Sequence, residues 1–523
     1  MGNKLFLFFI VLFCSCVKLE KADLVVHNAK IYTVNPEFEI AQAMAIKDGK
    51  IIAIGKEHEM KNRFRADQFL DAQTNPIYPG FIDAHAHLLG YGLNAQGVSL
   101  KDSKTVEQIE ASLSGFIKDK PSQDWIMGYG LSNTLPNDKL FNALNTQFPT
   151  HKIYIWYIDG HKMIVSENAL SEVFPDAEIK NGVLNDEQIN FFLSKVTYTR
   201  KQKKQAVRYA QDACVKLGLT SVTDAGITKD EAELYKYLDQ ENQLKIRVYG
   251  MLKPSPETME DAYKGVYQGD KVTIRSFKLV ADGALGSSTA YLLENYLNQS
   301  QKGNLLITKD SLIALAELCK ETGFQLNVHA IGDGAFRLVS EGMGEVLERT
   351  NDLRWRIEHA QMTHPNDVNN LSKYSILPSV QPSHGLSDES WVESKIGANR
   401  LTDSYQLKTL LDQNGMIAFG TDFPVEEINP IKTFYSAVVR KPKDGPKAYL
   451  ENEKIGRIKA LKAMTYWNAI AQHQDSAIGS LEIGKEADFI ILSRDIITAP
   501  EDEIMETQVL ATYIKGKAVF KSE

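Results

Sequence analysis

The central part of the chain repeats one local pattern eight times, and this repeat limits the fold more than any other feature. Each repeat has a short apolar run, a loop that begins with polar residues, and a stretch with the periodicity of an amphipathic helix. Alternating strands and helices are typical of α/β folds with a parallel sheet, and eight such units favour a TIM (β/α)8 barrel. The apolar runs predict strands at 78–84, 220–224, 245–251, 276–281, 325–329, 354–359, 376–381 and 416–422.

Both ends of the mature chain have a different sequence pattern. Residues 23–78 contain short alternating runs, and Asp48-Gly49 between two of them is typical of a tight β-hairpin. Similar runs return in residues 476–523. We therefore predict a small β-sandwich domain that both chain ends build together. It flanks a barrel domain at 79–475, whose first repeat carries an insertion at about 88–219.

The first 16 residues are typical of a targeting segment. Lys4 precedes an apolar run at 5–13 that is too short to span a bilayer, and Ser15-Cys16 follows. This arrangement resembles a bacterial lipoprotein signal, so residues 1–16 are predicted to be a signal peptide with Cys16 as the lipid anchor. An ordinary secretory signal is the alternative. The predicted location is the bacterial cell envelope, in the periplasm or at the cell surface.

Charge and composition limit the partners. The formal net charge is -8, from 59 basic and 67 acidic side chains, which offers no basic surface for nucleic acid. The contents of 43% hydrophobic and 24% charged residues are those of a globular protein. The expected partner is a small-molecule substrate, with membrane contact only through the lipid anchor. The sequence is compatible with an oligomer.

Histidines gather where predicted strands end, which is where TIM barrels carry their active sites. The first strand leads into His85 and His87, which lie two residues apart and therefore share a face suited to chelating a divalent metal. His329 ends the fifth strand. On the sixth strand Glu358 and His359 are adjacent, so only one can face inward without a bulge, and we assign His359.

Lys278 lies inside the predicted fourth strand, where alternation directs it into the barrel. An unpaired ammonium there would carry a large desolvation cost. Two explanations stay open. One is an ion pair with Asp282 or with Asp422, which ends the eighth strand, and the other is reaction with CO2 to give an anionic carbamate that bridges two metals.

Three residues are weaker candidates for substrate binding. His384 follows the seventh strand on the active face, and His161 lies in the insertion, where a hydrogen-bonded turn histidine is an equal alternative. Asp282 closes the fourth strand and is also a candidate partner of Lys278.

The segments that carry these residues resemble the amidohydrolase superfamily, and in particular its branch with the N-substituted formamide deformylases. The similar motifs are PGFIDAHAH at 79–87, KLVADGALGSSTA at 278–290, NVHAIGD at 327–333, RIEHAQ at 356–361, FGTDFP at 419–424 and GSLEIGKEADFIIL at 479–492.

The resemblance implies a metal-dependent hydrolase of C–N bonds other than peptide bonds, acting on a linear amide, N-acyl or N-formyl compound by metal-activated hydroxide. It implies two divalent ions, zinc by preference, with Lys278 carboxylated on its side-chain nitrogen. Asp422 is then the catalytic group, which takes the proton of the attacking water and passes it to the leaving nitrogen. The implied metal ligands are His85, His87, Lys278, His329, His359 and Asp422.

Two alternatives to this function stay open. The same metal site would also suit an esterase, a lactonase or a phosphoesterase. A non-catalytic envelope lipoprotein that keeps the barrel for binding is the other alternative.

Overall fold

The computed structural model describes residues 19–119, 125–132, 134–157, 162–176, 178–442, 445 and 447–522. Within these residues, eight parallel strands pair in chain order from the first to the last. The strands are β1 (Phe81–Ala86), β2 (Leu219–Ile227), β3 (Arg247–Leu252), β4 (Val272–Val280), β5 (Gln325–Ala330), β6 (Arg356–His359), β7 (Leu377–Val380) and β8 (Ala418–Phe419).

The first and last strands are joined by two backbone hydrogen bonds beyond β8. The N–H of Asp422 donates to the carbonyl oxygen of His85 at 2.7 Å, and the N–H of His87 donates to that of Phe423 at 2.8 Å. The sheet is therefore a nearly closed barrel, and each predicted strand overlaps an observed one. The α/β fold with an eight-stranded parallel barrel is confirmed.

Helices follow the strands and cover the outside of the barrel. Capping boxes start four of them, because the hydroxyls of Thr199, Thr228, Ser255 and Thr308 accept from the backbone N–H three residues on. The helices of this layer are Leu88–Asn94, Arg200–Lys216, Lys229–Gln240, Pro256–Ala262, Lys309–Thr322, Asp333–Leu347, Asn369–Tyr374, Pro382–Asp388, Val392–Ile396, Leu407–Asn414, Pro430–Val438, Arg457–Ala463 and Tyr466–Ala471. Short 3-10 turns lie at Ala398–Asp403, Glu451–Glu453 and Glu501–Glu506.

Between β1 and β2 the chain forms a separate layer with its own sheet. Trp125 and Tyr154 are buried there against Phe192, so these aromatic side chains build the core of the insertion. The strands are Val98–Ser99, Trp125–Leu131, Lys152–Tyr157, Lys162–Val165 and Val183–Asn185. The helices are Val106–Asp119, Asn137–Gln147, Glu167–Val173 and Asp186–Lys195, with a 3-10 turn at Lys180–Gly182.

Two further sheets contain the chain ends, and Asp48-Gly49 forms the predicted hairpin with φ of 50° and 79°. One sheet has the strands Lys50–Gly55, Ala43–Lys47, Glu20–His27 and Phe64–Asp71, with the helix Glu57–Arg63 beside it. The other has Lys517–Lys521, Val509–Ile514, Phe489–Leu492, Pro76–Pro79, Lys30–Tyr32 and Ile40–Ala41, in that order. Side chains from both sheets share one apolar cluster. The proposed domain boundaries stay predictions.

An ion pair connects the N-terminal end of β3 to the second of these sheets. Arg247 is buried and donates from Nε to Asp488 Oδ2 at 2.8 Å. A short strand, Tyr267–Gln268, pairs antiparallel with β4.

No helix among the described residues has the length and apolar character needed to cross a bilayer. The predicted signal peptide at 1–16, with Cys16, lies outside the described residues.

Candidate metal centre

Asp422 lies at the centre of a cluster of imidazoles at the C-terminal edge of the barrel strands. Each of its two carboxylate oxygens faces a different pair of histidines. Oδ1 is 3.3 Å from His87 Nε2 and 3.7 Å from His85 Nε2. Oδ2 is 3.9 Å from His384 Nε2 and 4.0 Å from His359 Nδ1. One carboxylate therefore lies between two pairs of histidines.

Lys278 enters the cluster from β4. Its Nζ lies 3.0 Å from His85 Nε2, and the side chain is buried. Burial lowers the pKa of this ammonium to about 8, although the charges of Glu358 and Asp422 act in the opposite direction. The inward direction predicted from alternation agrees with this placement.

Glu358 and His359 at the end of β6 both face the site. Strand alternation had suggested that only one of them could do so. Glu358 Oε2 lies 2.5 Å from His85 Nδ1, while His359 packs with its ring centroid 4.7 Å from that of His85. The physical reason is a break in the extended backbone, since His359 and Ala360 have φ of 72° and 42°. This irregularity turns His359 toward the barrel without turning Glu358 away.

Three imidazoles are each held through one ring nitrogen, so the other nitrogen faces away from that partner, and in His85 it faces Lys278. His85 is held by Glu358, His359 Nδ1 lies 2.8 Å from Gln381 Oε1, and His329 Nε2 lies 3.0 Å from the carbonyl oxygen of Gly283. Such partners fix the tautomer and orientation of metal-binding histidines.

The donor chemistry fits divalent metal ions. Imidazoles and a carboxylate are the ligands that zinc and related ions take in proteins. Asp422 Oδ1 is buried without a hydrogen-bond partner among the described residues, since its approach to His87 Nε2 lacks hydrogen-bond alignment. An unpaired buried oxygen costs about 1–3 kcal/mol, so a ligand at this oxygen would stabilise the site.

His384 differs from the three anchored rings. Its Nδ1 lies 3.0 Å from the amide nitrogen of Gln361, which donates, so the remaining proton of the neutral ring is on Nε2. Nε2 is buried and has no hydrogen-bond partner among the described residues. By distance alone, His384 could bind a metal together with His359 and Asp422. It would then take the role that the resemblance gives to His329. The tautomer instead suits a donor toward a bound substrate.

Asp282 has a different place from the one predicted. It is fully buried, and its oxygens accept from the backbone N–H groups of Ile331, Gly332 and Tyr291 at 2.8–3.0 Å. The carboxylate therefore organises the loop after β5, 3.4 Å from His329 Nε2, and is not free to bind a substrate or to orient Lys278. His161 lies outside the described residues.

The electrostatics keep the carboxylate charged and the imidazoles neutral. Burial alone would raise the pKa of Asp422, but His87, His85 and His359 hold it well below its usual value. Burial, with a contribution from the Lys278 ammonium, lowers the pKa of His85 to about 4 and that of His329 to about 3. Neutral rings and an ionised carboxylate are the protonation states that metal binding requires.

Sequence reasoning missed the residues that orient the histidines. Arg356 and Glu358 are two apart on β6 and share its inward face, and Arg356 Nε donates to Glu358 Oε1 at 2.6 Å. That spacing was a usable signal for an inward ion pair. Gln361 and Gln381 carry no such signal, because glutamine is mostly a solvent-exposed residue.

The barrel and the cluster at its edge define a metal-dependent hydrolase. Residues 68–520 match the amidohydrolase family, and the chain belongs to this family, which confirms the resemblance seen in its motifs. The chain is 29% identical to Protein LONG AFTER FAR-RED 3 of Arabidopsis thaliana, over 95% of this chain and 92% of that protein. It is 23% identical to the N-substituted formamide deformylase of Arthrobacter pascens, over 94% of this chain and 97% of that protein. The crystal structure of an uncharacterized metal-dependent hydrolase from Pyrococcus horikoshii matches with a TM-score of 0.80 and 26% identity, covering 92% of this chain and 99% of that one.

Proposed function

We propose that this hydrolase cleaves a C–N bond other than a peptide bond, in a linear amide, N-acyl or N-formyl compound. The observation that carries the proposal is the buried, ionised Asp422 between two groups of histidines. The similarity to an N-substituted formamide deformylase supports the same bond class. Members of the amidohydrolase family depend on metal, and two zinc ions suit this donor set.

The metal ions would be held by imidazoles, by Asp422 and by Lys278. When bound, they supply a water that is acidic enough to ionise near neutral pH and a positive charge that polarises the substrate carbonyl. The full set of proposed ligands is His85, His87, Lys278, His329, His359 and Asp422.

Lys278 is proposed to be carboxylated. Only an uncharged amine attacks CO2, and burial lowers the pKa of Lys278 to about 8, so an appreciable fraction of this amine is neutral near physiological pH. A bond forms between Nζ and the carbon of CO2, the nitrogen loses a proton, and the product is an anionic carbamate. The carbamate would remove the cost of a buried ammonium beside three histidines and provide two oxygen ligands.

Asp422 is proposed to move the proton of the reaction. Its low pKa keeps it ionised, so it can accept a proton from the attacking water. The same group then returns that proton to the leaving nitrogen, which departs as a neutral amine. His384 would donate from Nε2 to the substrate carbonyl oxygen, since that N–H has no partner among the described residues.

Metal content and substrate screening test the proposal together. We expect about two zinc ions per chain in protein that starts at Val17 and is purified without chelators, and a sharp decrease in Lys278→Ala. Lys245→Ala is the control, because Lys245 precedes β3 at the opposite end of the barrel and pairs with Asp212 at 2.7 Å. The metal-loaded protein should hydrolyse N-formyl and N-acyl amines faster than the matching esters.

Other results would favour the alternatives. Faster cleavage of esters, lactones or phosphoesters would replace the proposed bond class. A chain that binds no metal after mild purification would support the non-catalytic binding protein. One metal per chain that Lys278→Ala leaves unchanged would refute the carboxylated bridge. No observation among the described residues favours these alternatives.

We also propose that the protein is anchored in the bacterial cell envelope through Cys16. The support is the sequence alone, in which Lys4 and the apolar run at 5–13 precede Ser15-Cys16. Mass spectrometry of the protein purified from membranes should show a lipid-modified Cys16 at the N-terminus. Recovery of an unmodified chain in the soluble fraction would refute the anchor.

A further inference from the structure

We propose that Lys253, at the C-terminal end of β3, selects substrates that carry a negative charge close to the scissile bond. This inference rests on the proposed function and adds a substrate class to it. The chemical group recognised is a carboxylate or another small anion. Lys253 would bind it directly and would be a specificity-determining residue, outside the metal ligands and outside the proton transfer of Asp422.

Lys253 follows the last residues of β3 on the inward side. Tyr249, four residues before it, points into the barrel and donates to Gln325 Oε1 at 3.0 Å. A Cβ on the next residue, Gly250, would instead meet Ile274 and Ile227 on the outside of the barrel. Alternation along the strand therefore directs Lys253 over the mouth of the barrel. Its backbone is fixed there, because its N–H donates to the carbonyl oxygen of Ile227 at 2.8 Å.

Gly226 brings the Lys253 side chain next to that of Lys278. The register of β2 against β3 shifts between Ala225 and Ile227, and Gly226 at this irregularity has a φ of 84°. A Cβ on Gly226 would lie 3.5 Å from Cε of Lys253 and 3.8 Å from Cγ of Lys278. Both lysine side chains therefore pass close to Gly226, at the same end of the barrel.

The ammonium of Lys253 has no partner in the part of the chain that the structure describes. It forms no ion pair or hydrogen bond there, and the residue is exposed. Lysines that follow other barrel strands are paired. Lys229 lies 2.6 Å from Asp261, and Lys432 lies 2.8 Å from Glu426. A solvated, unpaired ammonium keeps its full capacity to bind an anion.

Two of the acidic groups at the mouth, Asp224 and Asp282, are already held by other contacts. Asp224, at the end of β2, accepts from the N–H groups of Leu88 and Leu89 and from the hydroxyl of Tyr235. Asp282 is held by three backbone N–H groups, as described above. Neither carboxylate therefore pairs with the Lys253 ammonium, which stays available to an anionic substrate.

An exposed apolar side chain, Val280, lies at the end of the neighbouring strand β4. Val280 is two residues after Lys278 on the inward face of β4, aligned with His329, and it is 41% exposed. A substrate that fits both features has an apolar part against Val280 and an anionic group against Lys253. The amide would then lie between them, next to Asp422.

Pairs of compounds that differ only in a carboxylate test this inference. In the first pair, N-acetylleucine and N-isopentylacetamide, the carboxylate of the first compound is on the amine side. In the second pair, N-isopentylsuccinamate and N-isopentylpropionamide, it is on the acyl side. Hydrolysis and equilibrium binding of all four are measured with the metal-loaded protein, with Lys253→Met and with Lys245→Met. Methionine keeps the length of the side chain and removes the charge.

The wild-type protein should prefer the carboxylate member of at least one pair, and Lys253→Met should lose about tenfold in kcat/KM and in affinity for that member alone, as expected for a charge-assisted hydrogen bond. Lys245→Met makes the same change in net charge and should keep the preference. The inference is overturned if the wild-type protein shows no preference in either pair, or if the preference survives in Lys253→Met.

Binding separates this inference from the proposed function. If no compound is hydrolysed but the carboxylate member binds in a Lys253-dependent way, the proposed amide chemistry fails and the anion site stands. If both amides of a pair are hydrolysed equally well by the wild-type protein and by Lys253→Met, the chemistry stands and the anion site fails.

Discussion

Glu358→Gln should weaken metal binding although Glu358 is not a metal ligand. The carboxylate is fully buried and accepts from two donors, with Oε2 2.5 Å from His85 Nδ1 and Oε1 2.6 Å from Arg356 Nε. A glutamine in its place has one oxygen and one NH2 group. It can therefore accept from His85 or from Arg356, and its NH2 group must face the other donor.

Glu358→Gln should change two quantities, the free energy of unfolding through Arg356 and the metal affinity through His85. Removing one member of a buried ion pair costs about 3–5 kcal/mol of the free energy of unfolding, because the charge of Arg356 stays buried without its partner. Loss of the group that orients a metal-binding imidazole lowers metal affinity about 10–100-fold, or roughly 1.4–2.7 kcal/mol. The two losses should appear in separate measurements.

Urea unfolding of the metal-free protein measures the first loss, and zinc competition with a chelator measures the second. Asp488→Asn is the matched control. It breaks the buried pair with Arg247 at the far end of β3 but leaves Glu486 3.6 Å from Arg247, so it should lower the free energy of unfolding by less than about 3–5 kcal/mol and leave zinc affinity unchanged. Equal zinc affinity of Glu358→Gln and the wild-type protein would refute the role assigned to Glu358.

Three further changes have defined outcomes. Gln381→Leu removes the acceptor of His359 and should lower zinc affinity about tenfold, measured by the same competition. Gly226→Ala and Gly265→Ala should each cost about 1–3 kcal/mol in urea unfolding, because φ is 84° and 90° and the added methyl group clashes with nothing at either position, so the backbone conformation alone sets the cost. Burial, with Arg275 and Arg354, lowers the pKa of His473 to about 4, so the unfolded chain binds its proton first as pH falls below 6.5. Stability should therefore fall by up to about 3 kcal/mol between pH 6.5 and 4, and His473→Gln should remove this part of the pH dependence in urea titrations.

The eight barrel strands could be predicted because they are buried on both faces, which makes each of them a nearly continuous apolar run. Their ends were less predictable. The sixth strand was expected to start at Arg354, but Arg354 has a φ of 56° and pairing begins at Arg356. The eighth was expected to reach Asp422, but φ there is 60° and only Ala418–Phe419 pair with β7. Positive φ values at such positions are set by tertiary contacts, which no local pattern records.

The same limit explains which parts of the candidate site could be predicted. A histidine or aspartate at a strand end is placed by the barrel itself, because all parallel strands direct their C-terminal ends to one edge. The groups that hold each imidazole depend instead on side-chain conformations across neighbouring strands, such as Gln381 on His359. Sequence spacing contains no information about those contacts.

The hydrogen-bond partners of the imidazoles distinguish the proposed metal ligand His359 from the proposed substrate donor His384, whereas their distances to Asp422 do not. His359 and His384 lie at nearly equal distances from Asp422 Oδ2, 4.0 and 3.9 Å, and their rings are nearly parallel. An acceptor, Gln381 Oε1, faces His359 Nδ1, so the proton is there and Nε2 has a free lone pair. A donor, the Gln361 amide, faces His384 Nδ1, so the proton is on Nε2. Two rings in the same environment therefore have opposite chemistry, because one glutamine presents its oxygen and the other its nitrogen.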